Sequence, residues 1–132
     1  MKFTLSLLII VAAVSACGGP KLTAEQKALR DRNVAQNQAA LAVAKHVALD
    51  GQMFRVAHVT ERNQALVERV KGSGPYYVRD LQVAAYRATG CGAKFDAGIL
   101  AFIGGDIYSA DLADLRTKVS GKFDGWGVSL EC

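Results

Sequence analysis

From Leu5 to Val14 the chain is almost wholly apolar, broken only by Ser6. Lys2 precedes this run, and the next charge is Lys21. A helix needs about 20 apolar residues to cross the hydrocarbon core of a bilayer. This run is too short, and Gly18, Gly19 and Pro20 end it. A positive start, an apolar middle and the small residues Ser15 and Ala16 make a secretory signal peptide. Cleavage after Ala16 removes residues 1–16 from anything that folds. The 116 residues left, 132 less 16, suffice for one domain with one core.

The leader ends in Val14-Ser15-Ala16-Cys17. An aliphatic residue, two small ones and a cysteine resemble the lipobox of bacterial lipoproteins, with a match at all four positions. The resemblance covers the leader alone. It implies that Cys17 becomes the first residue of the mature chain, with acyl groups such as palmitate on its thiol and amine. Residues 17–22 then form a lipidated tether, and 23–132 form the domain. Each buried CH₂ contributes about 0.8 kcal/mol, and two or more chains anchor stably. Gly18, where an Asp is absent, implies the outer membrane and a domain facing the periplasm if the host is Gram-negative. The alternative is an ordinary leader cut at the same place, with Cys17 a plain thiol.

Cysteine arithmetic follows from that choice. With Cys17 acylated, Cys91 and Cys132 are left. An even pair in an exported chain reads as a disulfide, which ties the last residue to the end of a predicted helix. Free thiols are the alternative. A metal pair is not expected, because no histidines stand at ligand spacing.

After Ala16 the chain holds 15 Lys/Arg (16 less Lys2) against 12 Asp/Glu, a net +3. Residues 17–74 carry nine basic and five acidic residues, and 75–132 carry six and seven. A mild basic bias near the lipid suits an anionic membrane surface. No Lys/Arg cluster interleaves with aromatics, so nucleic acid is not an expected partner.

The pattern predicts an α+β fold. It comprises a long N-terminal helix, a β-hairpin, two further helices and a C-terminal strand closed by the disulfide. Thr23 is a candidate N-cap. Residues 24–38 are polar nearly all round, as in an exposed or spacer helix. Residues 39–49 are mostly apolar, which continues the helix onto the core up to Asp50-Gly51. The same Asp-Gly is also a hairpin signal, so 42–49 pairing with 52–59 is a second reading. Met53–Thr60 and Ala65–Lys71 are predicted strands around a Glu61-Arg62-Asn63 turn. Phe54, Val56 and His58 share one face. Pro75–Thr89 reads as a helix with Ser73 before it and Gly90 after it. Arg79, Asp80, Gln82 and Arg87 are its solvated positions. Cys91–Gly98 reads as loop, Ile99–Ile103 as a buried run, and 110–119 as a helix capped by Ser109. In Trp126–Cys132, Trp126, Val128 and Leu130 alternate with small or polar residues, as in a strand.

Few residues suggest chemistry. His46 and His58 are the only histidines, and nothing places a nucleophile and an acid beside either. Asp106, Asp111 and Asp114 lack the regular steps of a calcium loop and fit turns and helix starts. Gly104-Gly105 lacks the third glycine and the lysine of a phosphate loop. Tyr76, Tyr77, Tyr86, Tyr108 and Trp126 are candidates for a recognition face or for the core. No catalytic residue, cofactor or metal site is expected. The expected function is a membrane-anchored envelope lipoprotein, a non-catalytic interaction module for a protein or cell-wall partner. The alternatives are a periplasmic small-molecule or peptide binder, or a small envelope enzyme or enzyme inhibitor.

Overall fold

The computed structural model describes residues 21–98 and 106–132. Cys17, the leader, Ile99–Ile103 and Gly104-Gly105 lie outside the described residues. The chain divides into two units, one ending at Arg32 and one running Asn33–Cys132. In the first unit, helix α1 (Ala24–Ala42) begins. Thr23 caps it reciprocally: its Oγ1 accepts the Gln26 N–H at 3.1 Å, and its own N–H donates to Gln26 Oε1 at 2.9 Å. Every residue from Lys21 to Arg32 is exposed.

The second unit is α+β. Its strands are β1 (Lys45–Leu49), β2 (Gln52–Val59), β3 (Gln64–Lys71), β4 (Gly92–Phe95) and β5 (Trp126–Glu131). They form one antiparallel sheet in the order β1-β2-β3-β5-β4. Helices α2 (Val78–Thr89) and α3 (Leu112–Thr117) join its second half. Chain order and sheet order therefore part after β3. The chain crosses through α2 to the edge strand β4, then returns through α3 to place β5 between β3 and β4.

Alternation sorts the sheet's side chains. Phe54, Val56, Ala65, Val67, Trp126, Val128 and Leu130 pack with Val78, Leu81, Ala84, Ala85 and Leu112 in the main core. On the opposite face Ala57, Val59 and Leu66 are covered by Ala40, Leu41 and Ala44. Cys91 and Cys132 form the disulfide, with Cα atoms 4.6 Å apart.

Four expectations need correction. The long helix does not reach residue 49. It ends at Ala42, and the second reading, the hairpin, holds, with 45–49 paired to 52–56 around Asp50-Gly51. Both turn residues have positive φ (47° and 79°), the geometry that suits a two-residue hairpin turn. Ladder hydrogen bonds outweigh the helix propensity of the alanines. Second, α2 starts at Val78 rather than Pro75, without a cap from Ser73. Tyr77 is extended and its N–H donates to Asp80 Oδ2 at 2.8 Å. Third, Gly92–Phe95 is a strand rather than loop, made by its register with β5. Fourth, α3 is capped by Asp111, whose Oδ1 accepts the Ala113 N–H at 2.9 Å, while Ser109 lies in a 3₁₀ turn, Ile107–Ser109. The hairpin of β2 and β3 and the closing strand β5 form where the alternation predicts them.

Candidate functional site

A cleft of about 870 Å³ opens along α2, lined by Leu49, Asp50, Tyr77, Arg79, Asp80, Val83, Arg87, Tyr108 and Ser109. Three pieces of chain build it. The end of β1 supplies Leu49 and the β1–β2 turn supplies Asp50. The outer face of α2 supplies Arg79, Val83 and Arg87, four residues apart each time and therefore on one side of the helix. The 3₁₀ turn supplies Tyr108 and Ser109.

Each wall is held by its own bonds. Arg87 Nη1 donates to the Ala48 carbonyl at 3.3 Å, tying α2 to β1. Asp106 Oδ1 accepts the Tyr108 N–H at 3.0 Å, and Ser109 Oγ donates to the Asp106 carbonyl at 3.2 Å. The Leu112 N–H donates to the Tyr76 carbonyl at 2.8 Å, which brings the chain after this turn against the approach to α2. Asp80 is committed to the Tyr77 N–H. Among the described residues, the Arg79 guanidinium and the Tyr77 and Tyr108 hydroxyls take part in no side-chain hydrogen bond or ion pair. Tyr77 is 39% exposed and Tyr108 53%, so both rings are accessible from the mouth of the cleft.

The five aromatic candidates separate. Tyr76 and Trp126 are core: Trp126 Nε1 donates to Tyr76 Oη at 2.9 Å, and both rings are buried. Burial raises the Tyr76 hydroxyl above its ordinary pKa. The Trp126 hydrogen bond and the nearby Arg69 charge pull the other way. Tyr77 and Tyr108 line the cleft. Tyr86 is exposed and does not.

The histidines do not converge. His46 stands opposite Arg55 and His58 opposite Ala65, on opposite faces of the sheet. His58 borders a smaller cavity of about 270 Å³ with Lys45, Val56 and Thr89, where Lys45 Nζ donates to the Ala88 carbonyl at 3.2 Å. Asp106 caps the 3₁₀ turn, Asp111 caps α3, and Asp114 pairs with Lys118 at 3.1 Å. Among the described residues no three His, Cys, Asp or Glu side chains gather as a metal site.

The residues that the sequence reading passed over are Arg79, Val83 and Arg87, taken there as solvated or unremarked. The i, i+4, i+8 spacing was the available signal. What makes a cleft of it is the 3₁₀ turn and the β1–β2 turn, neither of which adjoins α2 in sequence. Family descriptions, curated proteins and solved structures were compared with the chain, and none matches it.

Proposed function

We propose that the protein is a lipid-anchored lipoprotein of the bacterial envelope whose α+β unit is a non-catalytic binding module. The observation that carries this reading is the Val14-Ser15-Ala16-Cys17 run at the end of the apolar leader. The polar, wholly exposed start of α1 is compatible with a segment between a membrane anchor and a folded unit. Among the described residues no helix is long and apolar enough to cross a membrane; the attachment in this reading is through acyl chains on Cys17.

The binding role draws on the cleft. Its polar groups are guanidinium, carboxylate and phenol, and the one hydroxyl nucleophile, Ser109, faces a backbone carbonyl rather than a base. The concave, mixed-polarity surface favours a small-molecule or peptide ligand over a flat protein–protein contact. A cell-wall or protein partner therefore enters this reading through a segment small enough to fit the cleft.

Replacement of Cys17 tests the anchor. Cys17→Ala is expected to move the protein from the membrane to the soluble fraction and to abolish metabolic labelling with palmitate. Retention of the variant in the membrane fraction would overturn the anchor reading.

A further inference from the structure

We propose that the cleft along α2 binds a short, extended peptide carrying two carboxylates three to four residues apart. The inference deepens the binding-module reading and rests on it. Arg79 and Arg87 are eight residues apart on one side of α2, about 12 Å along the axis at 1.5 Å per residue. An extended peptide rises about 3.3 Å per residue, so four steps cover about 13 Å. A ligand lying along the helix therefore presents one carboxylate to each guanidinium, with Val83 beneath the residues between.

The donors are available. Arg79 makes no hydrogen bond, ion pair or cation–π contact through its guanidinium among the described residues, and Arg87 uses one Nη on Ala48. Planar guanidinium forks match carboxylates bidentately. Asp80, the nearest acid in sequence, has its Oδ2 bonded to the Tyr77 N–H and is not paired with Arg79. Tyr77 and Tyr108 offer ring faces and hydroxyls to the peptide backbone at one end. Asp50 is exposed in the β1–β2 turn, where it suits an amino group or an amide N–H.

Charge narrows the ligand class. With Asp50 and Asp80 in its lining, the cleft balances two positive side chains with two negative ones. Dense negative charge, as on a polyphosphate or nucleic acid backbone, meets repulsion there. Two separated single charges on an uncharged peptide backbone meet less of it. A volume of about 870 Å³ falls within the usual range of ligand pockets, roughly 300–1,000 Å³.

The test is isothermal titration calorimetry of the full chain in detergent. The probe is a synthetic pentapeptide with glutamate at its first and last positions and alanine between. The controls are the peptide with both glutamates replaced by glutamine, and one with the glutamates adjacent. The glutamate pentapeptide is expected to bind, more weakly as salt is raised, and both controls at least about tenfold more weakly. Arg79→Gln is expected to weaken binding by a similar factor. Because its guanidinium makes no described bond, this variant should keep the parent unfolding midpoint. Arg87→Gln should do the same to binding, with a small loss of stability from the Ala48 bond. No heat at millimolar pentapeptide, equal binding of the glutamine control, or unchanged binding by Arg79→Gln would each overturn the proposal. The outcome is independent of Cys17. Binding by a chain that is not membrane-anchored would fail the anchor reading alone, and an anchored chain without binding would fail this inference alone.

Discussion

At the scale of single residues, Tyr76 ties several parts of the core together. Its ring meets Phe54 edge-on at 5.6 Å and lies 4.7 Å below the Arg69 guanidinium. Its hydroxyl accepts from the Trp126 indole, and its carbonyl accepts from Leu112. Tyr76→Phe leaves the indole N–H buried without an acceptor, at a cost of about 1–3 kcal/mol. Alkaline pH adds a second readout. Because burial raises the folded-state pKa of Tyr76, the unfolded chain loses this proton first. The contribution is complete below about pH 10 and is lost as pH rises through the folded value. Urea midpoints should therefore show Tyr76→Phe less stable than the parent at pH 7, with the gap narrowing above pH 10. Equal midpoints at pH 7 would mean that the Trp126 bond contributes nothing net. Gly125 shows a tighter constraint. At φ 134° it leads into β5 so close to β3 that an added Cβ would stand 2.9 Å from the Val67 nitrogen, which makes glycine the residue that fits there.

At the scale of elements, the second half of α1 is held by polar contacts as much as by packing. Arg62 donates to Gln36 Oε1 at 2.7 Å, Asn37 Oδ1 at 2.6 Å, Gln64 Oε1 at 3.2 Å and Asn33 Oδ1 at 3.5 Å. Four amide oxygens surround one guanidinium, and no carboxylate is among them. The Asn/Gln run that reads as a solvated face is thus a docking face in 33–37, completed by the small hydrophobic patch around Ala40 and Leu41. Arg62→Leu should release this segment. Amide exchange over residues 33–42 is expected to accelerate by about tenfold or more while α2 keeps its protection, since hydrogen bonds to a charged group contribute roughly 1.5–3 kcal/mol. An increase spread evenly over the whole unit would show that Arg62 acts on global stability and not on α1.

At the scale of the whole molecule, the disulfide joins two places that the sheet order has already brought together. Cys91 follows the end of α2, and Cys132 directly follows the strand that sits between β3 and β4. The bond spans 41 residues, for which the chain-entropy model gives about 4 kcal/mol through the unfolded ensemble. The Cys91→Ser/Cys132→Ser double variant should lose about that much in urea titration, with its far-UV spectrum preserved. A loss near zero would indicate that the unfolded chain is already compact in this region. Around this frame Glu68 bridges Arg55 at 2.8 Å and Arg116 at 3.4 Å, pinning α3 to the sheet. The turns that flank the cleft are therefore held on a braced scaffold.

Much of this was already legible along the chain. The alternation of Phe54, Val56 and His58 and of Trp126, Val128 and Leu130 determined two strands and their inward faces, because period-two burial is local to a strand. Cys91 and Cys132 were readable as a pair from their number and setting, and Thr23 as a cap from its chemistry. Three things were decided only by tertiary structure. At 45–49 the Asp50-Gly51 hairpin signal and the helix propensity of the alanines pointed opposite ways, and the ladder that β2 offers decided for the strand. Gly92–Phe95 became a strand because β5 inserts beside it, and its alternation, Ala93 and Phe95 inward against Gly92 and Lys94, is too short to mark a strand by itself. The cleft exists because Asp50, 37 residues before Arg87, and Tyr108, 21 residues after it, close on the same side of α2, and periodicity within one element says nothing about contacts between distant segments. Local periodicity reports which face of an element is buried, but only the packing of distant segments decides what stands opposite its exposed face.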